Sequence, residues 1–330
     1  MLVISTKSNR WASAFRGLLS LALAAYISQA KADDEYMQMP ESSDGTEIVD
    51  LARESSTTSP AGSNGFAGTG TMTKELFSES QEGYIPSREE LRALKAVTSG
   101  QETVLGVDTR FRTYTTTYPA RAIALITFTG GWCTGTFYGP NVVLTAGHCV
   151  HSGGSSGTWK RNVRVWPGYN AGSAPYGSYA ARRLHSVTGW TVSKDERYDY
   201  GVIKLSTNAG NTVGWFGYWW QAASLTGLPA IIAGYPGDKS PTQSQWLSAD
   251  LVRVTENRQV FYKNDSAGGM SGSAVWQDRP AGSAFCTNGP CIYAIHAYGL
   301  HGIAPHSNHN HGTRITQAVY NNLVAWKNAR

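Results

Sequence analysis

Short apolar runs rich in Val, Ile, Tyr and Trp recur along this chain, each bounded by Gly, Ser or Asn. Examples are NVVLTAG (141–147), DYGVIKL (199–205) and CIYAIHAYG (291–299). Runs of this length punctuated by turn residues read as strands. The chain has 36 glycines, and Lys, Arg, Asp and Glu together make only 15% of it, too little to face long amphipathic helices with charge. The expected class is all-β. A length of 330 residues exceeds what one small core needs and suits one large or two fused domains.

The N-terminus reads as an address. Lys7, Arg10 and Arg16 precede the apolar segment Gly17–Ile27, followed by Ala30-Lys31-Ala32 with small residues where a signal peptidase reads. The apolar run is too short to span a bilayer, so residues 1–32 are expected to be a secretory signal peptide and the product to be secreted, extracellular or periplasmic. The next segment, 33–102, carries 5 Lys and Arg against 14 Asp and Glu, whereas 103–330 carries 19 against 9. The acidic stretch is rich in Ser, Thr and Gly, and alone it is expected to be largely disordered. Ser87–Val97 is its exception, with a helix-start pattern in which Glu90 follows Ser87 by three. An acidic leader before a basic body suggests a propeptide that docks by charge and inhibits its own chain. The leader has ten glutamates; the 228 residues after it have two, Glu196 and Glu256. A protease that cuts after glutamate, destroying its leader and sparing itself, would need that distribution.

Four cysteines, Cys133, Cys149, Cys286 and Cys291, in an exported chain suggest two disulfides, with three pairings open. No C-x-x-C spacing of a structural zinc site occurs.

Three segments carry chemistry in the order His, Asp, Ser: TAGHCV with His148, DYGVIKL with Asp199, and GGMSGS with Ser271. A serine hydroxyl needs an adjacent base to act as a nucleophile. Histidine can take and return that proton, and a buried carboxylate can fix the imidazole tautomer. Glycines let the chain turn so that amides converge on one point, here the N–H groups of Gly269 and Ser271 as an oxyanion hole. Asp199 suits the third place better than Asp195, which sits in the loop SKDER. The sequence GGSSG at 153–157 fits an α/β-hydrolase elbow but has no strand before it, and it is discarded.

Together these motifs resemble the chymotrypsin-like serine proteases over Thr103–Arg330, about two thirds of the chain. The resemblance implies two antiparallel six-stranded β-barrels, 103–212 and 213–330, with the triad between them and a C-terminal helix. Ile315, Val319, Leu323 and Trp326 fall near helical spacing there. It also implies a Cys133–Cys149 bridge, leaving Cys286 to pair with Cys291.

TVLGVDTR (103–110), GNTVGWFGYWW (210–220) and IHAYG (295–299) are closer to the glutamyl endopeptidase branch. That likeness implies His296 and Ser266 as donors to a glutamate side chain, and Ala297, Tyr298 and Gly299 as backbone partners for the substrate. Cleavage between Glu102 and Thr103 would start the mature chain where the likeness begins. Asp265 points the other way: an aspartate six places before the nucleophile selects Lys or Arg in trypsin-like enzymes. His296 does not suit a cation pocket, however, and Met270 replaces the aspartate that pairs with the new N-terminus in trypsin-like zymogens. Asp265 is therefore expected to turn away and to pair with the freed amine of Thr103. A catalytically inactive homologue acting as a binding module is a third reading, disfavoured by the intact triad.

The loop HGIAPHSNHNHG (301–312) holds His301, His306, His309 and His311. No carboxylate or thiol lies among them, so a polar surface insertion is expected, with no metal site. No cofactor motif occurs. Ten tryptophans after Thr103 and a basic surface carry no nucleic-acid motif, so protein or peptide substrates and a monomer are expected, with no membrane partner.

Overall fold

The β-branched and aromatic runs form strands because their side chains fit a pleated, half-buried surface. In the computed structural model, which describes residues 29–46, 59–96 and 102–329, twelve of these strands close into two barrels. The first comprises Ile123–Phe128, Gly131–Gly139, Val142–Thr145, Arg164–Pro167, Tyr179–Val187 and Gly201–Leu205, closed by pairing of the last two. The second comprises Pro229–Gly234, Trp246–Thr255, Gln259–Tyr262, Ala274–Arg279, Gly289–Tyr298 and Asn310–Arg314. It closes where Ala274–Arg279 pairs with both Pro229–Gly234 and Gly289–Tyr298. Two six-stranded antiparallel barrels are thus present, as the sequence implied. The expected boundary at 212/213 falls in the connection between Leu205 and Pro229. The expected signal peptide lies outside the described residues up to position 28, and no helix among the described residues is long and apolar enough to cross a membrane.

The chain ends in the helix Gln317–Asn328, whose N-cap Thr316 accepts the Val319 amide. Val319, Leu323 and Trp326 are buried, and Trp326 stacks on His185 at 5.5 Å between ring centroids. Lys204 Nζ donates to the carbonyls of Trp326 (3.4 Å) and Lys327 (3.0 Å), a cation at the negative end of the helix. That contact satisfies Lys204, the one charged side chain of GVIKL, a strand buried at all five positions. The bridges are Cys133–Cys149 and Cys286–Cys291, the pairing the resemblance implied.

Alone the acidic leader is expected to be largely disordered; beside the body it has partners. Its described residues are laid over the body. Pro40–Ser42 adds an antiparallel strand to Tyr179–Val187 of the first barrel. Ala61–Ser63 does the same to Gly217–Trp220, a strand that itself runs parallel to Gly289–Tyr298. Helix Arg88–Ala93 carries a complete capping box, with Ser87 Oγ accepting the Glu90 amide and Glu90 Oε2 accepting the Ser87 amide. It stops at Leu94, short of the 87–97 stretch expected. The leader lacks apolar residues for a core of its own, so it satisfies its backbone on strand edges that the body supplies.

Arg164 is the main polar anchor of this docking. Its guanidinium, buried in the body, donates to the leader carbonyls of Ser80 (2.7 Å), Glu82 (2.8 Å) and Tyr84 (3.1 Å). Charge-assisted bonds of this kind are worth about 1.5–3 kcal/mol each, and the set acts as a unit. Arg164→Ala should therefore speed amide hydrogen exchange over residues 74–91 by roughly 30-fold, about 2 kcal/mol of local protection, while the barrel strands keep theirs. Equal protection in both proteins would show that Arg164 does not hold the leader.

Candidate functional site

The site lies between the barrels. His148 sits in the short turn Gly147–Cys149 that follows strand Val142–Thr145. Asp199 ends the turn Glu196–Tyr198, just before strand Gly201–Leu205, and these two strands pair. The pairing brings the residues together: Asp199 Oδ2 lies 2.7 Å from His148 Nδ1, and Asp199 Oδ1 accepts the His148 amide at 2.8 Å. Asp199 is fully buried. Thr313 of the second barrel donates to its backbone carbonyl, at 3.1 Å. The Tyr298 hydroxyl also bonds to its carboxylate, and burial with Asp199 alongside holds that phenol far above its usual range. Asp195 is instead paired with Arg197 in the same turn.

Ser271 lies on the loop before strand Ala274–Arg279. The Thr134 amide of the first barrel donates to its carbonyl at 2.9 Å, and that oxygen lies 3.7 Å from Sγ of Cys149, the residue after His148. Gly269 has a positive φ of 96°, and a Cβ there would meet the Tyr235 carbonyl at 2.4 Å. Gly272, at φ +87°, would meet the Thr134 carbonyl at 2.2 Å. Only glycine allows this turn. The amides of Met270, Gly272 and Ser273 go to Ala267, His296 and Met270, whereas those of Gly269 and Ser271 have no partner among the described residues. Ser273 donates to the Met270 carbonyl and braces the turn.

Glu102 fills the pocket beside Ser271. Its side chain is fully buried; Ser271 Oγ donates to its Oε1, which lies 3.9 Å from His296 Nε2. Burial drives the Glu102 carboxyl well above the usual carboxylate range despite the Ser271 bond. Burial and the neighbouring His148 push His296 down to about 3. Both groups are therefore driven toward their neutral forms. Ser266 is buried, and among the described residues neither its hydroxyl nor His296 Nε2 has a hydrogen-bond partner. Tyr262, which the sequence did not single out, lies with its hydroxyl 2.7 Å from His296 Nδ1.

Asp265 faces away from this pocket. Its carboxylate accepts the amides of Leu105 and Thr109 at 2.8 Å each and the Thr109 hydroxyl at 2.7 Å. In the uncut chain Thr103 has a peptide amide rather than the freed amine expected to pair with Asp265. The Thr103 amide donates to Asn310 Oδ1 (3.3 Å), and the Thr103 carbonyl accepts from Asn310 Nδ2 (2.7 Å) and from the Ser266 amide (3.3 Å). Asn310 carried no signal in the sequence, because its partners are 46 and 207 residues away. Ala297 and Tyr298 close strand Gly289–Tyr298, with Gly299 just beyond it.

The histidine-rich segment is not the surface insertion expected. His311 is fully buried in strand Asn310–Arg314, stacked between Phe261 (5.0 Å) and Tyr298 (5.3 Å). Two aromatic faces supplied by other strands draw its ring into the core.

The trypsin family profile matches residues 112–319. The glutamyl endopeptidase of Bacillus licheniformis is 43% identical over 229 residues, covering 69% of this chain and 70% of the relative. A protein of Bacillus subtilis named extracellular metalloprotease is 35% identical over 326 residues, 96% of each chain. A Glu endopeptidase solved in complex with MPD superposes with TM-score 0.60 at 33% identity, covering 68% of this chain and all of that one. The protease Anisep of Arthrobacter nicotinovorans shares the fold, at TM-score 0.52 and 23% identity over 66% of this chain and all of that one. The paired barrels and these likenesses make the chain a serine endopeptidase of the trypsin family and a homologue of glutamyl endopeptidase.

Proposed function

We propose that the chain is the precursor of a secreted endopeptidase that cuts after glutamate, and that its first substrate is its own Glu102–Thr103 bond. The observation that carries this reading is the Glu102 carboxylate, buried between Ser271 and His296. In this reading Ser271 is the nucleophile, and His148 takes its proton and returns it to the leaving amine. Asp199 holds His148 through Nδ1 and stabilises the imidazolium. The free amides of Gly269 and Ser271 receive the oxyanion. Peptide bond cleavage then proceeds through an acyl-enzyme that water hydrolyses.

Glutamate selection rests on donors rather than on bulk charge. A Tyr262 hydroxyl that donates to Nδ1 leaves the His296 ring proton on Nε2, the nitrogen nearest the carboxylate. Ser266, which the likeness assigns to the pocket, has a buried hydroxyl without a partner among the described residues. The trypsin-like alternative requires a free carboxylate at Asp265, and three donors from Leu105 and Thr109 occupy it. The docked leader would act as an intramolecular inhibitor while Glu102 holds the Ser271 hydroxyl. The signal-like N-terminus supports export, and the relative named extracellular metalloprotease aligns over nearly the whole chain.

Covalent labelling by a fluorophosphonate tests the nucleophile. The processed protein should label at Ser271 and lose labelling in Ser271→Ala; an unlabelled processed protein would support the inactive binding-module reading. His296→Ala should lower kcat/KM on a glutamyl peptide about a hundredfold, on the order of 3 kcal/mol for a lost donor to a charged group. Asp265→Asn should leave the preference for glutamate intact. The reverse pattern would transfer the specificity to Asp265.

Glu102 adds a pH signature to the precursor. The raised carboxyl keeps a proton in the folded, uncut chain that the unfolded chain releases above its ordinary value of 4.5. The stability of the uncut form must then fall as pH rises through that window. In Ser271→Ala, which stays uncut, Glu102→Gln should remove this loss. The melting-temperature advantage of the Gln variant should grow between about pH 5 and about pH 8. A pH-independent difference would place the carboxylate in water rather than in the pocket.

A further inference from the structure

Four side chains outside the nucleophile's pocket converge where no role has been assigned. They are Glu196, from the turn that leads into Asp199, and His301, His306 and His311. Each offers one ligand atom, and the four atoms lie within 4.8 Å of one another. Glu196 Oε2 is 3.1 Å from His301 Nε2, and Glu196 Oε1 is 3.1 Å from His306 Nε2. No carboxylate lies among the loop histidines in the sequence; the fold supplies one from 105 residues before His301.

His311 separates this cluster from an ordinary ion-paired surface group. Its ring is fully buried, yet among the described residues neither Nδ1 nor Nε2 has a hydrogen-bond partner. A buried imidazole with both nitrogens unsatisfied costs free energy unless something binds it. Its ring lies 5.1 Å from that of His301 and 4.8 Å from that of His306. Glu196, His301 and His306 are each partly exposed, so an ion can enter from solvent. Gln259 Nε2 lies 3.4 Å from Glu196 Oε1 and can steady the carboxylate, while its Oε1 lies 3.3 Å from His306 Nε2 and must yield when a ligand takes that nitrogen.

We infer that Glu196, His301, His306 and His311 form a binding site for one divalent transition-metal ion of the zinc class. Three imidazoles and one carboxylate are the donor set zinc takes in tetrahedral geometry, with bonds of about 2.0–2.2 Å and ligand atoms about 3.4 Å apart. Whichever Glu196 oxygen serves as the ligand already lies 3.1 Å from one histidine nitrogen, and the remaining atoms need to close by up to about 1.4 Å from the 4.8 Å limit. With four protein ligands the site is closed, so its role is structural. It clamps the loop after Tyr298, on the second barrel, to the turn that carries Asp199, on the first. The site is separate from the glutamate pocket and does not depend on the specificity assigned there.

The test strips the purified full-length chain with a chelator and titrates it with zinc, reading bound metal by elemental analysis and stability by melting temperature. One equivalent should bind and raise the melting temperature, and cobalt in its place should give the intense visible absorption of a tetrahedral site. Glu196→Gln and His301→Ala, both partly exposed positions, should weaken zinc binding on the order of 100-fold and abolish the thermal shift. Circular dichroism would establish that both variants fold. Less than a stoichiometric amount of zinc on the wild-type chain would overturn the inference. So would one equivalent held equally well by both folded variants.

Discussion

The carboxylate of Asp199 is the constraint around which the two barrels are arranged. A fully buried charge must be matched by donors or it destabilises the fold by several kcal/mol. Here the donors come from both halves of the molecule. The His148 amide and ring belong to the first barrel, and the Tyr298 hydroxyl belongs to the second. Thr313 of the second barrel holds the backbone of the same residue. Satisfying this one group therefore fixes the relative placement of the histidine turn and the strand that carries His296. The cleft geometry follows from that requirement.

The leader exploits what closed barrels leave over. Barrel closure hides most strand edges, yet Tyr179–Val187 and Gly217–Trp220 still accept one strand each from the leader. Arg164 then takes three of its carbonyls. Glu102, the residue before the body, lies beside Ser271 while the described parts of the leader are docked, so docking and occupation of the site occur together. Asp265 contributes from behind. By accepting three hydrogen bonds from Leu105 and Thr109 it holds the segment after Glu102 in place, and Asn310 and Ser266 hold Thr103.

Much of this was legible in the sequence, for reasons that differ from feature to feature. The strands could be read because short β-branched runs between glycines have few alternatives, and their closure into two barrels came from the family resemblance. The capping box at Ser87 and Glu90 could be read because it is local. The inward stripe Val319, Leu323 and Trp326 could be read from its spacing. What failed depended on distant partners. The leader's order was hidden because its hydrogen-bond partners are strands of the body. His311 looked like part of a polar loop, since Phe261 and Tyr298, which bury it, lie on other strands. Lys204 and Glu196 carried no signal, because the helix end and the loop histidines that meet them lie far along the chain. Tyr262 and Asn310 had no local pattern at all.

The central claim is that the pocket beside Ser271 recognises a glutamate side chain. Digestion of a mixed peptide library by the processed protein, with the residue before each cut identified by mass spectrometry, tests it most directly. The account predicts that glutamate precedes the great majority of cuts. A majority of cuts after lysine or arginine would contradict it and return the specificity to Asp265.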